Sequence, residues 1–155
     1  MSDALESLNG LVVPLSEQGL LLPNVAVAEL VGFRLTRVAD NAPAWFLGWT
    51  QWREQVVPLV DPYILMGQTP ASTERPPRTL ILNAVGERAG VHFVGLRIFS
   101  IPRSRKVVRG EINALELHGE YIQQAVQLAE EPEVLVIPDL AAIEDELDKA
   151  GLLRP

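Results

Sequence analysis

Residues 11–31 read LVVPLSEQGLLLPNVAVAELV, and residues 80–101 read LILNAVGERAGVHFVGLRIFSI. Each stretch opens with an apolar strand, a polar turn that ends in glycine (Gly19 or Gly90), and a second apolar strand. Short apolar runs separated by turn residues are typical of β-hairpins. Because similar hairpins open both halves of the chain, the sequence predicts a duplicated β fold. The alternative is that the two hairpins are alike by chance.

The two halves also end alike, in QVVPLVDPYIL (residues 55–65) and EVLVIPDLAAIEDEL (residues 133–147). Each of these endings is an apolar strand followed by an aspartate, Asp61 or Asp139, and a short turn or helix. The pattern predicts two units of about five short strands each. Sheets that small hide their edges best by curling into barrels.

Only two stretches have a helical pattern. Residues 24–31 form a short one, and residues 138–152 form a longer one with apolar side chains at i, i+3 and i+7. Asp139 is expected to cap the start of the second helix, and Gly151 to mark its end.

The length of 155 residues fits one domain, residues 1–155. Within it we expect a first barrel over about 10–67, a second barrel over about 78–138 and a C-terminal helix over about 139–150. Between the barrels, residues 68–77 read QTPASTERPP. This polar, proline-rich segment predicts a linker or exposed loop.

The composition limits the classes of function. The formal net charge is −7, which argues against a nucleic-acid partner. No apolar run approaches the length of a membrane helix, and the acidic N-terminus does not resemble a secretory signal, so we expect a cytoplasmic protein without direct membrane insertion. Cysteine is absent from the chain, which excludes disulfides and thiol chemistry.

Patterns typical of catalysis are also missing. His92 and His118 are the only imidazoles, and no serine lies in a G-x-S-x-G motif. The sequence contains neither a phosphate-binding loop nor a G-x-G-x-x-G motif. We therefore predict no catalytic residue, no metal site, no cofactor and no enzymatic activity.

The aromatic stretch over residues 45–52 is more informative. On a strand over residues 48–52, Trp49 and Trp52 would face opposite sides, so one is expected in the core and the other at the surface. Alternatively, both could fill the seam between the two units. Arg53 follows at the turn, where it is either a solvated charge or a planar hydrogen-bonding group offered to a partner.

Residues 48–61, GWTQWREQVVPLVD, resemble the most characteristic stretch of CheW-like chemotaxis coupling domains. That stretch has a glycine, an arginine at a turn, an apolar strand, a proline, two apolar residues and an aspartate. This chain keeps Gly48, Arg53, Pro58 and Asp61 at that spacing.

The resemblance extends over about residues 10–150. LLLPNVAVAEL (residues 20–30) resembles the family's strand and V-x-E-I segment, NAPAWFLG (41–48) its N-x-P-x-[FY]-[IL]-x-G turn, and GVHFV (90–94) its G-φ-φ-V-D strand. Glu54 stands where the family has glycine after the arginine. Such departures indicate a divergent member, such as an auxiliary coupler of a type IV pilus twitching-motility system.

The resemblance implies a mainly β fold of two pseudo-symmetric five-stranded SH3-like barrels with short helices and a C-terminal helix. It also implies a non-enzymatic adaptor that couples the helical tip of a chemoreceptor to the regulatory domain of a CheA-like histidine kinase. Such an adaptor is cytoplasmic and reaches the membrane only through the receptor complex.

Carried over by position, Val27, Glu29 and Arg53 match residues on the receptor-facing side of the family. Trp52 is added on our own argument from its aromatic surface, and no residue is assigned to kinase binding. The alternative function is a β-barrel that binds a small ligand or peptide and has no signalling role.

Overall fold

A computed structural model describes residues 7–69, 75–129 and 131–155 of the chain. These residues are mainly β, as expected. The strands are β1 (Ser7–Val13), β2 (Gly19–Pro23), β3 (Val27–Gly32), β4 (Arg37–Val38), β5 (Phe46–Trp52), β6 (Gln55–Val60), β7 (Arg78–Asn83), β8 (Phe93–Ile98), β9 (Arg103–Val108), β10 (Ile112–Leu115), β11 (Ile122–Leu128) and β12 (Val134–Pro138). The α-helices are α1 (Pro62–Leu65) and α2 (Leu140–Lys149), and short 3-10 helices cover Asn24–Ala26 and Arg109–Glu111.

The strands form two six-stranded sheets. Sheet A has the order β10-β11-β12-β2-β1-β9, and sheet B has the order β3-β7-β8-β6-β5-β4. In each sheet a hairpin from one half of the chain joins the other half through a parallel pair, β2 with β12 in sheet A and β8 with β6 in sheet B. Gly19 pairs with Leu135 in one sheet, as Gly95 pairs with Leu59 in the other. The duplication is therefore a pseudo-symmetric pair of sheets that exchange their opening hairpins.

This exchange changes two expectations. Each sheet has six strands, where the sequence predicts about five. The sheets also do not follow the continuous ranges 10–67 and 78–138, because the β1–β2 hairpin lies in sheet A and the β7–β8 hairpin lies in sheet B. The sequence could not show this, since a hairpin has the same local pattern whichever sheet it joins.

Chain connections force each sheet to curl. In sheet B the edge strands β3 and β4 are joined by residues 33–36 alone. Six flat strands would separate the edges by about 24 Å at the usual spacing, whereas this connection reaches at most about 17 Å. Residues 109–111 join the edges of sheet A in the same way. Both sheets must therefore close towards a barrel.

Three apolar clusters fill this arrangement. A central core joins the two sheets and α2, with fully buried side chains such as Leu22, Leu80 and Leu147. The concave face of sheet A holds a second cluster around Leu135, and that of sheet B holds a third around Leu59. Each sheet thus has its own inner core, and a shared core lies between them.

The two helical predictions have different outcomes. The second is confirmed, because α2 begins after Asp139, whose Oδ1 accepts the Ala142 N–H at 3.0 Å, and Gly151 follows it with φ +70°. The helix over residues 24–31 is wrong: a 3-10 helix covers Asn24–Ala26 and β3 follows. Pairing of β3 with β7 outweighs the local pattern there. No helix of the described residues is both long and apolar enough to cross a membrane.

The segment predicted as a linker, residues 68–77, is anchored at its start. The buried side chain of Gln68 accepts the backbone N–H groups of Glu17 and Gln18 at 2.9 and 3.3 Å. The Thr69 N–H donates to the Glu17 carboxylate at 2.9 Å. Residues 70–74 lie outside the described part of the chain.

Asp61 ties the first half of the chain to the exchanged β7–β8 hairpin. Its Oδ1 accepts the backbone N–H groups of Tyr63 and Ile64 at 2.9 and 3.3 Å, which starts α1. Its Oδ2 accepts Nη2 of Arg97, on β8, at 2.9 Å. Asp61 is only 3% exposed. The buried Tyr63 hydroxyl accepts the Phe99 N–H at 3.2 Å, and burial raises the pKa of Tyr63.

The exchange of hairpins predicts one cooperative unfolding transition. The parallel pair in each sheet joins one strand from each half of the chain, so neither half can unfold without breaking both pairs. The two sheets also share the central core. Calorimetry and denaturant titrations followed by two spectroscopic probes should therefore give coincident, single transitions. Two separated transitions would contradict the shared core.

Replacing Asp61 with alanine should lower the free energy of unfolding by about 3 kcal/mol, because Arg97 loses its buried partner and α1 loses its cap. Asp61→Asn should cost less, since asparagine also caps helices. Asp145→Ala is the control, because Asp145 pairs with Arg88 but its side chain is 58% exposed. Urea unfolding measures all three variants. Equal losses for Asp61→Ala and Asp145→Ala would contradict this role.

Candidate interaction site at one end of sheet B

A two-residue turn joins β5 and β6 at one end of sheet B. Trp52 pairs with Gln55 across it, and the central residues Arg53 and Glu54 have φ values of +48° and +64°. Two positive φ values are the pattern of a type I′ turn, in which Asn-Gly is the favoured pair. An L-residue in this left-handed region costs about 1–2 kcal/mol. Since neither central residue is glycine, the turn is strained.

Trp49 and Trp52 face opposite sides of β5, as the alternation predicts. Trp49 is 7% exposed within the central core, and its Nε1 donates to the Leu152 carbonyl at 2.8 Å. Trp52 is half-buried at the margin of the inner core of sheet B. Its ring meets Phe93 edge to face, with centroids 4.8 Å apart and an interplanar angle of 89°. Of these two tryptophans, Trp49 alone lies in the central core shared by the two sheets.

Glu29, on β3, completes a cluster with Trp52 and Arg53. Its Oε2 accepts Nε1 of Trp52 at 3.3 Å, and its Oε1 lies 3.4 Å from Nη2 of Arg53. The Arg53 guanidinium also lies over the Trp52 ring, 4.5 Å from its centroid. Three strands separate β3 from β5 in the order of sheet B, so the curl of the sheet brings these residues together.

The cluster is open to solvent. The Arg53 side chain is 69% exposed and that of Glu29 is 44% exposed. An ion pair this exposed contributes about 0–1 kcal/mol to stability, and an exposed cation–π contact about 0.5–1 kcal/mol. These contacts therefore orient the guanidinium more than they stabilise the fold. Arginine carries five N–H donors, and the pairing with Glu29 leaves most of them for a partner.

The structure brings together three of the four residues predicted for the site. Val27, the fourth, is half-buried, pairs with Leu82 and packs against the central core. Phe93 was not predicted, although it supports Trp52. Its strand was quoted for the resemblance, but only the exchange of hairpins places β8 in the same sheet as β5.

Over residues 7–69, 75–129 and 131–155, no three side chains of His, Cys, Asp or Glu are grouped to hold a metal ion. His118 lies 3.5 Å from the Glu116 carboxylate, and both side chains are exposed. Glu29, Trp52 and Arg53 instead form an exposed ion pair beside an aromatic ring.

Comparison with known proteins agrees with this architecture. The family model described as a CheW-like domain matches residues 9–147. The fold is similar to the crystal structure of the scaffolding protein TtCheW from Thermoanaerobacter tengcongensis, with a TM-score of 0.69 and 15% sequence identity over 84% of this chain and 88% of that chain. No curated protein matches the sequence significantly.

The strained turn predicts that Glu54→Gly raises the free energy of unfolding by about 0.5–1 kcal/mol, because glycine adopts positive φ without steric cost. Glu54→Ala is the matched control, since it removes the carboxylate and keeps the strained backbone. Urea unfolding compares the two variants with the natural chain. An equal gain from alanine would show that the charge, and not the turn, causes the effect.

Proposed function

We propose that this chain, which belongs to the CheW-like domain family, is a non-enzymatic adaptor in chemosensory signalling that couples a chemoreceptor to a histidine kinase. The family assignment rests on the match over residues 9–147. The name of the similar structure, a scaffolding protein, supports a role in assembly. Catalysis has no part in such a role, because an adaptor acts only through its binding surfaces.

The observation that carries the proposal is the cluster of Glu29, Trp52 and Arg53. Glu29 and Arg53 are positions that the resemblance implies for receptor binding, and they form an ion pair. Trp52 supplies apolar area beneath the guanidinium, which would shield a partner's contact with Arg53 from water. The partner proposed for this site is the cytoplasmic helical tip of a chemoreceptor, and Val27 is proposed as a flanking contact.

The second proposed partner is the regulatory domain of a CheA-like histidine kinase. It would bind elsewhere on the sheets, and no kinase contact is assigned to a residue. In this role the protein works in the cytoplasm and reaches the membrane through the receptor complex. An auxiliary place in a twitching-motility system stays a prediction from the departures at positions such as Glu54.

One observation favours the alternative, a barrel that binds a small ligand. An apolar cavity of about 250 Å³ opens at one end of sheet A, where Leu8, Leu21, Val107, Ile112 and Ile137 are among the lining residues. This volume is below the about 300–1,000 Å³ of usual ligand pockets, but a cavity of about 400 Å³ beside the start of α2 lies within that range. The preference for the adaptor role therefore rests on the family match. Native mass spectrometry of the purified chain separates the two functions, because a ligand-binding barrel should retain a small molecule.

Arg53→Glu should weaken binding of a receptor-tip fragment at least ~10-fold, or about 1.4 kcal/mol. The substitution removes the guanidinium and places a second carboxylate beside Glu29. The free energy of unfolding should fall by no more than about 1–2 kcal/mol, the most that the exposed ion pair and cation–π contact can contribute together. Isothermal titration and urea unfolding of the same preparation provide both values.

Arg37→Glu is the matched control, because Arg37 is an exposed arginine on β4 of the same sheet. It makes the same change in net charge and should leave the affinity close to that of the natural chain. Unchanged affinity in Arg53→Glu would remove Arg53 from the site. Lost affinity together with a collapsed unfolding transition would show that Arg53 is a structural residue.

A further inference from the structure

We infer that Glu54 determines receptor specificity by pairing with a lysine or arginine on the helical tip that binds at the turn. The inference rests on the proposed function, because it concerns the same site. It adds the charge of the partner's contact, which the cluster of Glu29, Trp52 and Arg53 does not define.

The charges at the turn are unbalanced. Arg53 is paired with Glu29, so the positive charge of the guanidinium is already offset within the chain. Glu54 adds a second carboxylate next to this pair, and the three groups together carry a net charge of −1. A partner that covers the site would therefore bring a positive charge close to Glu54 if its surface is electrostatically complementary.

Contacts with the described residues do not explain the presence of Glu54. It is exposed, and the described residues offer it neither an ion pair nor a hydrogen bond from a side chain. Its φ of +64° is a conformation that glycine adopts more easily. Residues held in such conformations cluster at binding sites, where the surrounding structure maintains them. The carboxylate is thus kept at the turn at a cost in stability, and an external partner gives it a role.

The surface beside the turn is suited to a helical partner. Trp52 is half-buried, and its ring lies under the Arg53 guanidinium, 4.5 Å from the ring centroid. This ring provides apolar area next to the charges. An amphipathic helix that places a basic residue beside its apolar face would match this combination.

The test measures binding of receptor-tip helical hairpins from the same genome, as purified fragments, to the full-length chain. Glu54→Gln removes the charge and keeps the side-chain size and the strained turn. It should weaken binding about 3- to 10-fold at low salt, and high salt should reduce the difference. Glu54→Lys should weaken it more. Changing the contacting lysine or arginine of the fragment to glutamate should restore affinity for Glu54→Lys.

Two controls make the result specific. Glu116→Gln removes the same charge from a side chain that is 99% exposed in the loop between β10 and β11, and it should bind like the natural chain. Glu54→Gly removes both the charge and the strain, so it should bind as weakly as Glu54→Gln. Binding by Glu54→Gly as tight as that of the natural chain would overturn the inference.

The outcomes separate this inference from the proposed function. If the natural chain binds the fragments, Arg53→Glu loses binding and Glu54→Gln does not, only the role of Glu54 is wrong. If the natural chain binds none of the fragments, the proposed function fails and the role of Glu54 fails with it. Loss of binding in Glu54→Gln, together with the charge-reversal rescue, would support both.

Discussion

The parallel pairing of β6 with β8 and of β2 with β12 is the constraint on which the rest of the structure depends. Each pair joins a hairpin from one half of the chain to the strands of the other half. A parallel pair requires a long connection between its strands. Between β6 and β8 that connection runs through α1 and β7, whereas between β2 and β12 it passes through sheet B and returns to sheet A. Neither half can therefore complete a six-stranded sheet alone, and we expect the duplicated chain to unfold as one unit for that reason.

The same constraint assembles the candidate site. Glu29, Trp52 and Arg53 belong to the first half of the chain, whereas Phe93 comes from the second half through β8. Phe93 packs against Trp52, and Trp52 in turn carries the Arg53 guanidinium over its ring. The orientation of an exposed arginine thus depends on strand exchange between the halves, and the short connection over residues 33–36 keeps β3 close enough for Glu29 to take part.

Local patterns predicted the parts of the fold that local physics decides. The alternation along β5 separated Trp49 from Trp52, and Asp139 and Gly151 marked the ends of α2. Residues 24–31 have a short helical pattern, and pairing with β7 makes Val27–Gly32 a strand instead. The hairpin exchange left no local trace. The approach of Glu29 to Arg53 also has no local sequence signal. The resemblance implied only that both residues lie on the receptor-facing side.

A strained turn needs a rigid support, and sheet B provides one. The pairing of β5 with β6 runs from Phe46 opposite Val60 to Trp52 opposite Gln55, and Val57 and Leu59 of β6 are fully buried. The register of the hairpin is therefore set by its core, and the turn must accept whatever residues lie between Trp52 and Gln55. When residues with the wrong turn propensity occur in a hairpin whose register is fixed by its core, the position is usually a functional site. At Arg53 and Glu54, two charged side chains stand where a type I′ turn favours Asn-Gly. Under the proposed function, these charges would let the surface discriminate among partners.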